Sequence, residues 1–292
     1  MSVSGFTFVR DAVRLRYPVV ASIRSILPVV DELVVNVGVS SDDTLALVAS
    51  IRDPKLRIFE SRWDEALVQG GRILAQQTDL ALQRCTGDVC LYLQADEVLH
   101  EDDHPALRAA FARLGADPRL EGLLLDYVHF YGSYHTVATG RRWYRREVRA
   151  FRNGLGARSW RDAQGFRVFP ADGDPRQARK LRVAPADVRC FHYGWVRPPE
   201  LQARKQCEFA RWYHGDALSP SEPFRYDEAE RVARFGGTHP ASMRASAAAA
   251  DWTYQPRRRR LRVARLRLDL LDLFEAVTSV RVGEYRNYEL LG

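Results

Sequence analysis

Short apolar runs alternate with helical patterns through the first half of the chain. Gly5 to Val9 reads as a strand, and Pro18 opens a helix with Val19, Ile23, Ile26 and Leu27 on one face, ending near Pro28. Leu33 to Val37 is the next strand. The polar turn Gly38 to Thr44 follows, where Thr44 suits the cap of a helix over Leu45 to Ile51. Leu56 to Phe59 is a third strand, and Gly70-Gly71 precedes a helix from Arg72 to Gln83. Thr86 to Leu93 then gives a turn at Gly87-Asp88 and an apolar run from Val89 to Leu93, a buried strand. Strands alternating with helices imply right-handed crossovers and a mostly parallel sheet flanked by helices, an α/β fold.

After Glu97 the pattern predicts a helix over Pro105 to Leu114, broken by Gly115 and Pro118, and a strand beginning at Leu123-Leu124-Leu125. Asp126 to His135 is dense in aromatic rings with polar tips. Such rings suit the C–H faces of a sugar and equally a half-buried hairpin. Val188 to Trp195 is a strand running into His192 and Gly194. From Glu200 the composition changes. Leu201 to Tyr213 is helical with Lys205 and Arg211 on its exposed side, and Ser219 to Pro223 and Gly236 to Pro240 mark breaks. Arg257 to Arg260 opens a last helix. On it Arg262, Arg265, Asp269 and Asp272 form a polar stripe, and Val263, Leu266, Leu270 and Phe274, with Leu268 and Leu271, form a wide apolar face. Two readings of this helix stay open: packing on the main domain, or contact with an anionic membrane surface. Residues Val282 to Tyr288 read as a tail folded back on the domain. The expected division is residues 1–200 as the main domain and 201–292 as a mainly helical extension packed on it.

Chemistry concentrates at the end of the Val89 to Leu93 strand. Gln94-Ala95-Asp96-Glu97 lies where open α/β sheets bind ligands, and two adjacent carboxylates at the end of a buried strand need cations or protons. A helix start is the plainer explanation. Arg141 to Arg149 carries several guanidiniums that suit a diphosphate or an acidic acceptor, or that are simply solvated. A lone histidine such as His192 is commonly structural, but neutral imidazole beside carboxylate also suits a manganese-like ion.

These features together resemble family 2 glycosyltransferases, whose GT-A domain is Rossmann-like. Gln94-Ala95-Asp96-Glu97 resembles the family's Asp-x-Asp strand end, with Gln94 where the first Asp is usual. Ser40-Ser41-Asp42-Asp43-Thr44 resembles the family's Ser-Thr-Asp-Gly-Thr turn, although helix capping by Asp42 and Thr44 also explains it. Asn36 stands nearest the family's base-contacting Asp, with a loop one residue longer. The resemblance spans residues 4 to 200. It implies a nucleotide-diphosphate sugar donor bound by Asn36, Asp42, Asp96, Arg145 and Arg146. It also implies a divalent metal, manganese or magnesium, held by Asp96, Glu97 and His192. The loop Arg161 to Arg167 offers Asp162 as catalytic base, without the histidine that often precedes it in related enzymes, and Glu147 is the alternative. The implied reaction is inverting transfer of a sugar to an acceptor hydroxyl, on a glycan or glycolipid precursor of the cell envelope.

Composition narrows the alternatives. The chain has 292 residues with 46% hydrophobic and 28% charged positions, an ordinary globular balance. No apolar run is long enough to span a bilayer, and the N-terminus lacks a signal-peptide pattern, so a cytoplasmic protein is expected, with peripheral contact at the inner face of the membrane. Cys85, Cys90, Cys190 and Cys207 form no Cys-x-x-Cys pair and read as free thiols. The net charge of +7 suits phosphate-bearing partners. No nucleic-acid module is recognisable, so an Arg-rich nucleic-acid-binding protein is the weaker alternative. A nucleotide-sugar-binding protein without catalysis is a further one, suggested by Gln94 and Asn36.

Overall fold

The computed structural model describes residues 1–67, 70–214, 224–227, 230–252, 254, 266–278 and 281–291. The first half runs β1 (Val3–Val9), α1 (Val19–Ile26), β2 (Glu32–Gly38), α2 (Thr44–Ala49), β3 (Leu56–Ser61), α3 (Arg72–Leu82), β4 (Val89–Tyr92), β5 (Glu97–Leu99) and α4 (His104–Ala116). The second half runs β6 (Gly122–Tyr131), β7 (Thr136–Ala138), β8 (Arg146–Arg152), β9 (Ala157–Trp160), β10 (Gly165–Val168), β11 (Leu181–Trp195), α5 (Pro199–His214), β12 (Val232–Arg234), α6 (Ala241–Ala248), α7 (Leu266–Thr278) and β13 (Tyr288–Leu290). The basic run Arg257 to Arg260, with Arg262, Val263 and Arg265, and the break Ser219 to Pro223 lie outside the described residues.

The central sheet has the order β12-β7-β6-β8-β4-β1-β2-β3. β3, β2, β1 and β4 are mutually parallel, β8 is inserted antiparallel between β4 and β6, and β11 runs parallel to β6. This is a mixed α/β sheet flanked by helices, parallel and Rossmann-like across β3, β2, β1 and β4 and consistent with a GT-A fold. Its right half is more mixed than a pure βα alternation gives, because β8 returns from β6 through a loop and not through a crossover helix.

Strand periodicity builds the two-sided core. On β2, Leu33, Val35 and Val37 pack on one face with Ile23 and Ile26 of α1 and Leu107 and Phe111 of α4. Val34 points the other way, into a layer with Phe6, Tyr92, Phe151 and Phe166 that Ala81 and Leu82 of α3 cover. The aromatic stretch after Leu125 continues β6 as far as Tyr131, so those rings extend a central strand and the hairpin begins only at β7. The C-terminal tail forms an edge strand, with Tyr288 opposite Leu181.

Candidate functional site

β1 and β4 are adjacent and parallel, so their carboxyl ends open together. A cavity of about 610 Å³ lies there, and Arg10, Asp11, Gln94 and Asp96 face it from the strand ends. α5 closes one side with Lys205, Glu208, Phe209, Trp212 and Tyr213, Asp162 faces in from the β9–β10 turn, and His129 and His192 face in from β6 and β11.

Asp96 is anchored by a buried cation. Its Oδ2 accepts from Lys205 Nζ at 3.0 Å, and the same ammonium donates to the Gly194 carbonyl at 3.2 Å. Burial pushes the Asp96 carboxyl up, but the charge of Lys205 in particular overcomes this and holds it well below the usual carboxylate range. The sequence expectation for Lys205 was an exposed position; the residue is only 7% exposed. Helical spacing puts it on the same face as Phe209 and Trp212, and the cation lies near the rings of Phe209 and Tyr17.

A histidine pair fixes the other side of Asp96. His129 Nε2 lies 2.8 Å from the Tyr144 carbonyl, and a carbonyl only accepts, so this nitrogen carries the proton. Burial lowers the pKa of His129 far below its ordinary value, and the neutral ring's Nδ1 is then an acceptor. His192 Nδ1, 3.0 Å away, must donate to it. Burial also lowers His192, against the pull of Asp96. Its Nε2 is therefore left with a free lone pair, 3.8 Å from Asp96 Oδ1. Gly194 makes room for this arrangement: a Cβ there would meet His192 Nε2 at 2.5 Å and Asp96 Oδ2 at 3.0 Å.

Glu97 does not join them. It is fully buried in a bidentate pair with Arg149, at 2.8 and 2.9 Å, and also accepts from the Tyr127 hydroxyl at 2.6 Å. Adjacent residues at a strand start face opposite sides, which separates Glu97 from Asp96. Among the described residues no group of three or more His, Cys, Asp or Glu converges on a metal position. Asp96 Oδ1 and His192 Nε2, 3.8 Å apart, offer two ligand atoms, and a divalent ion held by two protein ligands completes its shell from phosphate and water. The residues present fit such an ion in that form, with Glu97 excluded from the expected set.

Asp162 sits in a strained turn between Arg161 and Ala163, whose φ angles are 58° and 63°. Gln94 Nε2 donates to the Ala163 carbonyl at 3.2 Å and Arg149 Nη1 to the Gln164 carbonyl at 2.9 Å, which holds the turn. The Tyr213 hydroxyl donates to Asp162 Oδ2 at 2.5 Å. Gly71 backs the pair closely, since a Cβ there would meet Asp162 Cβ at 2.7 Å.

Glu147 lies behind this turn and does not line the cavity. It is 4% exposed, Gln164 donates to its Oε1 at 3.3 Å, and its Oε2 has no hydrogen-bond partner. Burial pushes its pKa up from 4.5 to about 7. The folded state thus binds more protons than the unfolded state between those values, so stability is lost as pH rises through them. Glu147→Gln should make the protein more stable than wild type at pH 8, by on the order of 3 kcal/mol, and change little at pH 4. Melting curves across that range test this, and a difference independent of pH would contradict it.

The remaining predicted residues lie outside the cavity lining. Asn36 is fully buried, donating to the carbonyl and Oε1 of Gln77 at 3.0 and 2.9 Å and accepting from Ser61 at 2.6 Å. Asp42 accepts from the backbone of Arg14 and Thr44 and from the Thr44 hydroxyl, an Asx-type turn into α2, whose first residue is Thr44 and whose N-cap Asp43 makes no side-chain cap bond. Arg145 pairs with Glu284 and Glu275, and Arg146 with Asp126 at 2.6 Å. Sequence reasoning missed Arg10, whose guanidinium lies 5.2 and 5.4 Å from the ring centres of Trp63 and Trp212, and Arg14, which pairs with Asp11 and Glu208. Arg10 also lies 3.7 Å from Asp11, and Lys205 is the cation on Asp96.

No protein-family model matches the chain, and no curated protein matches it. Among solved structures it is similar to S. aureus TarS, at 13% identity and a TM-score of 0.39, over 72% of this chain and 39% of that one. It is similar also to S. aureus TarS 1-349, at 14% identity and 0.39, and to TarS 1-349 in complex with UDP, at 14% and 0.38. Each of these two alignments covers 73% of this chain and 65% of the other, so the chain spans less than two-thirds of the structures it matches. The chemistry of the cavity therefore rests on its own residues.

Proposed function

We propose that this protein is a glycosyltransferase that moves a sugar from a nucleotide-diphosphate donor to an acceptor hydroxyl, with inversion. One observation carries the reading: an anchored carboxylate, a lone-pair imidazole, two cations and a second carboxylate share one cavity at the carboxyl end of a parallel sheet. In this reading Trp63 and Trp212 offer ring faces to the nucleoside, and Trp143, Tyr144 and Trp195 offer theirs to the acceptor.

The Asp162 carboxylate takes the proton of the acceptor hydroxyl as that oxygen bonds to the anomeric carbon. The bond from that carbon to the diphosphate oxygen breaks on the opposite side, and the electron pair leaves with the nucleoside diphosphate. Lys205 and Arg10 face the charge that builds there. Asp96 Oδ1 and His192 Nε2 would hold a manganese or magnesium ion, which when bound supplies further positive charge to the diphosphate. Tyr213 orients Asp162 by donating to Oδ2, leaving Oδ1 for the proton.

A thermal-shift screen of nucleoside diphosphates, with and without manganese, tests the reading. A ligand at a hundred times its Kd stabilises by about 2.7 kcal/mol, so a clear rise in Tm is expected for at least one base. A flat response to all of them would overturn it. Stabilisation without donor turnover would select a binding protein.

A further inference from the structure

Helix α7 attaches to the protein by its charged face. Asp272 is 8% exposed and pairs with Arg231 at 2.9 Å. Glu275 receives Arg141 at 2.7 Å, Arg145 at 3.3 Å and Arg281 at 3.6 Å. The opposite face is apolar and open: Leu270, Leu273, Phe274 and Val277 are 59%, 61%, 46% and 78% exposed. Their spacing, i, i+3, i+4 and i+7, makes one stripe. Val282 and Tyr285, just beyond the helix, are also exposed, so that six of the eleven large exposed apolar side chains among the described residues fall in one 16-residue segment. A soluble helix ordinarily turns such a stripe inward, and a patch that stays outside marks an interaction surface.

The sequence beside the stripe indicates what covers it. Arg257, Arg258, Arg259, Arg260, Arg262, Arg265 and Arg267 stand immediately before the exposed stripe, the first six outside the described residues. An exposed apolar stripe next to dense arginine matches a helix lying in the headgroup plane of an anionic bilayer. No helix among the described residues is long and apolar enough to cross a membrane, so contact would be in-plane. We propose that the exposed apolar face of α7 docks this protein on an anionic lipid bilayer. The proposal goes beyond the donor chemistry and needs no sugar nucleotide to be tested.

Flotation of the full-length protein with phosphatidylcholine vesicles, with and without phosphatidylglycerol, at low and high salt, tests it. Binding should favour the anionic vesicles by about tenfold or more at low salt and weaken at high salt. The variant Leu273→Glu, Phe274→Glu, Val277→Glu should lose about tenfold or more of that binding while melting like wild type, because all three side chains are exposed. Failure of the wild type to float with anionic vesicles at low salt overturns the proposal. Equal binding by the variant overturns it as well, since the arginines would then act without the helix. A wild-type dimer in light scattering that the variant converts to monomer, with no vesicle binding by either, would assign the stripe to a second copy instead.

Discussion

Asp162→Asn should lower sugar transfer by about 10²–10⁴-fold and leave nucleoside diphosphate affinity unchanged. The amide is close to isosteric and its oxygen still accepts from Tyr213, so the turn between Arg161 and Ala163 keeps its shape. What is lost is the one carboxylate among the described cavity residues that no cation pairs with: Asp96 is tied to Lys205, and Asp11 and Glu208 to Arg14. The readout is the split between turnover and binding. Steady-state transfer, or donor hydrolysis where no acceptor is in hand, gives the first and calorimetry the second. If Glu147→Gln abolishes turnover and Asp162→Asn does not, the buried acid behind the loop is the base and the assignment is wrong.

Arg149→Met should destabilise the protein by about 3–5 kcal/mol, because it strands the fully buried Glu97 carboxylate without its counter-charge. Both partners are fully buried, and the guanidinium meets both oxygens of the acid. Glu97→Gln combined with Arg149→Met removes both charges and should recover a large part of the loss. Denaturant unfolding of the single and double variants measures this. A single-variant loss under about 1 kcal/mol would contradict it. The same arginine donates to the Gln164 carbonyl, so the variant should also loosen the turn that carries Asp162 and lower turnover beyond the stability effect.

The first half of the fold was legible because its signals are local. Leu33 to Val37 is a short, almost continuous apolar run, Pro18 and Gly70-Gly71 punctuate, and Gln94 to Glu97 ends a buried run, so β1 to β4 and the position of Asp96 follow from apolar runs and turn chemistry. The site was legible only in part because its other members arrive from a distance. Lys205 reaches Asp96 across 109 residues, and its place on the Phe209–Trp212 face was the one local sign. Arg145 and Arg146 gave a phosphate-binding pattern in sequence, but their acids, Glu275, Glu284 and Asp126, come from α7, the tail and β6. Asn36 stands at the right strand end but faces Gln77 and Ser61 across the α3 layer, a contact no local pattern carries. Glu97 shows the opposite case: strand period alone separates it from its neighbour Asp96.

Calorimetric titration of the nucleoside diphosphate that the screen selects, into wild type and Asp96→Asn with manganese present, tests the central claim most directly. The account predicts binding by the wild type at the carboxyl end of the sheet and a loss of about tenfold or more in Asp96→Asn, with the melting curve of a folded protein. Equal affinity in the two proteins would place the nucleotide elsewhere and remove Asp96, Lys205 and His192 from the donor site.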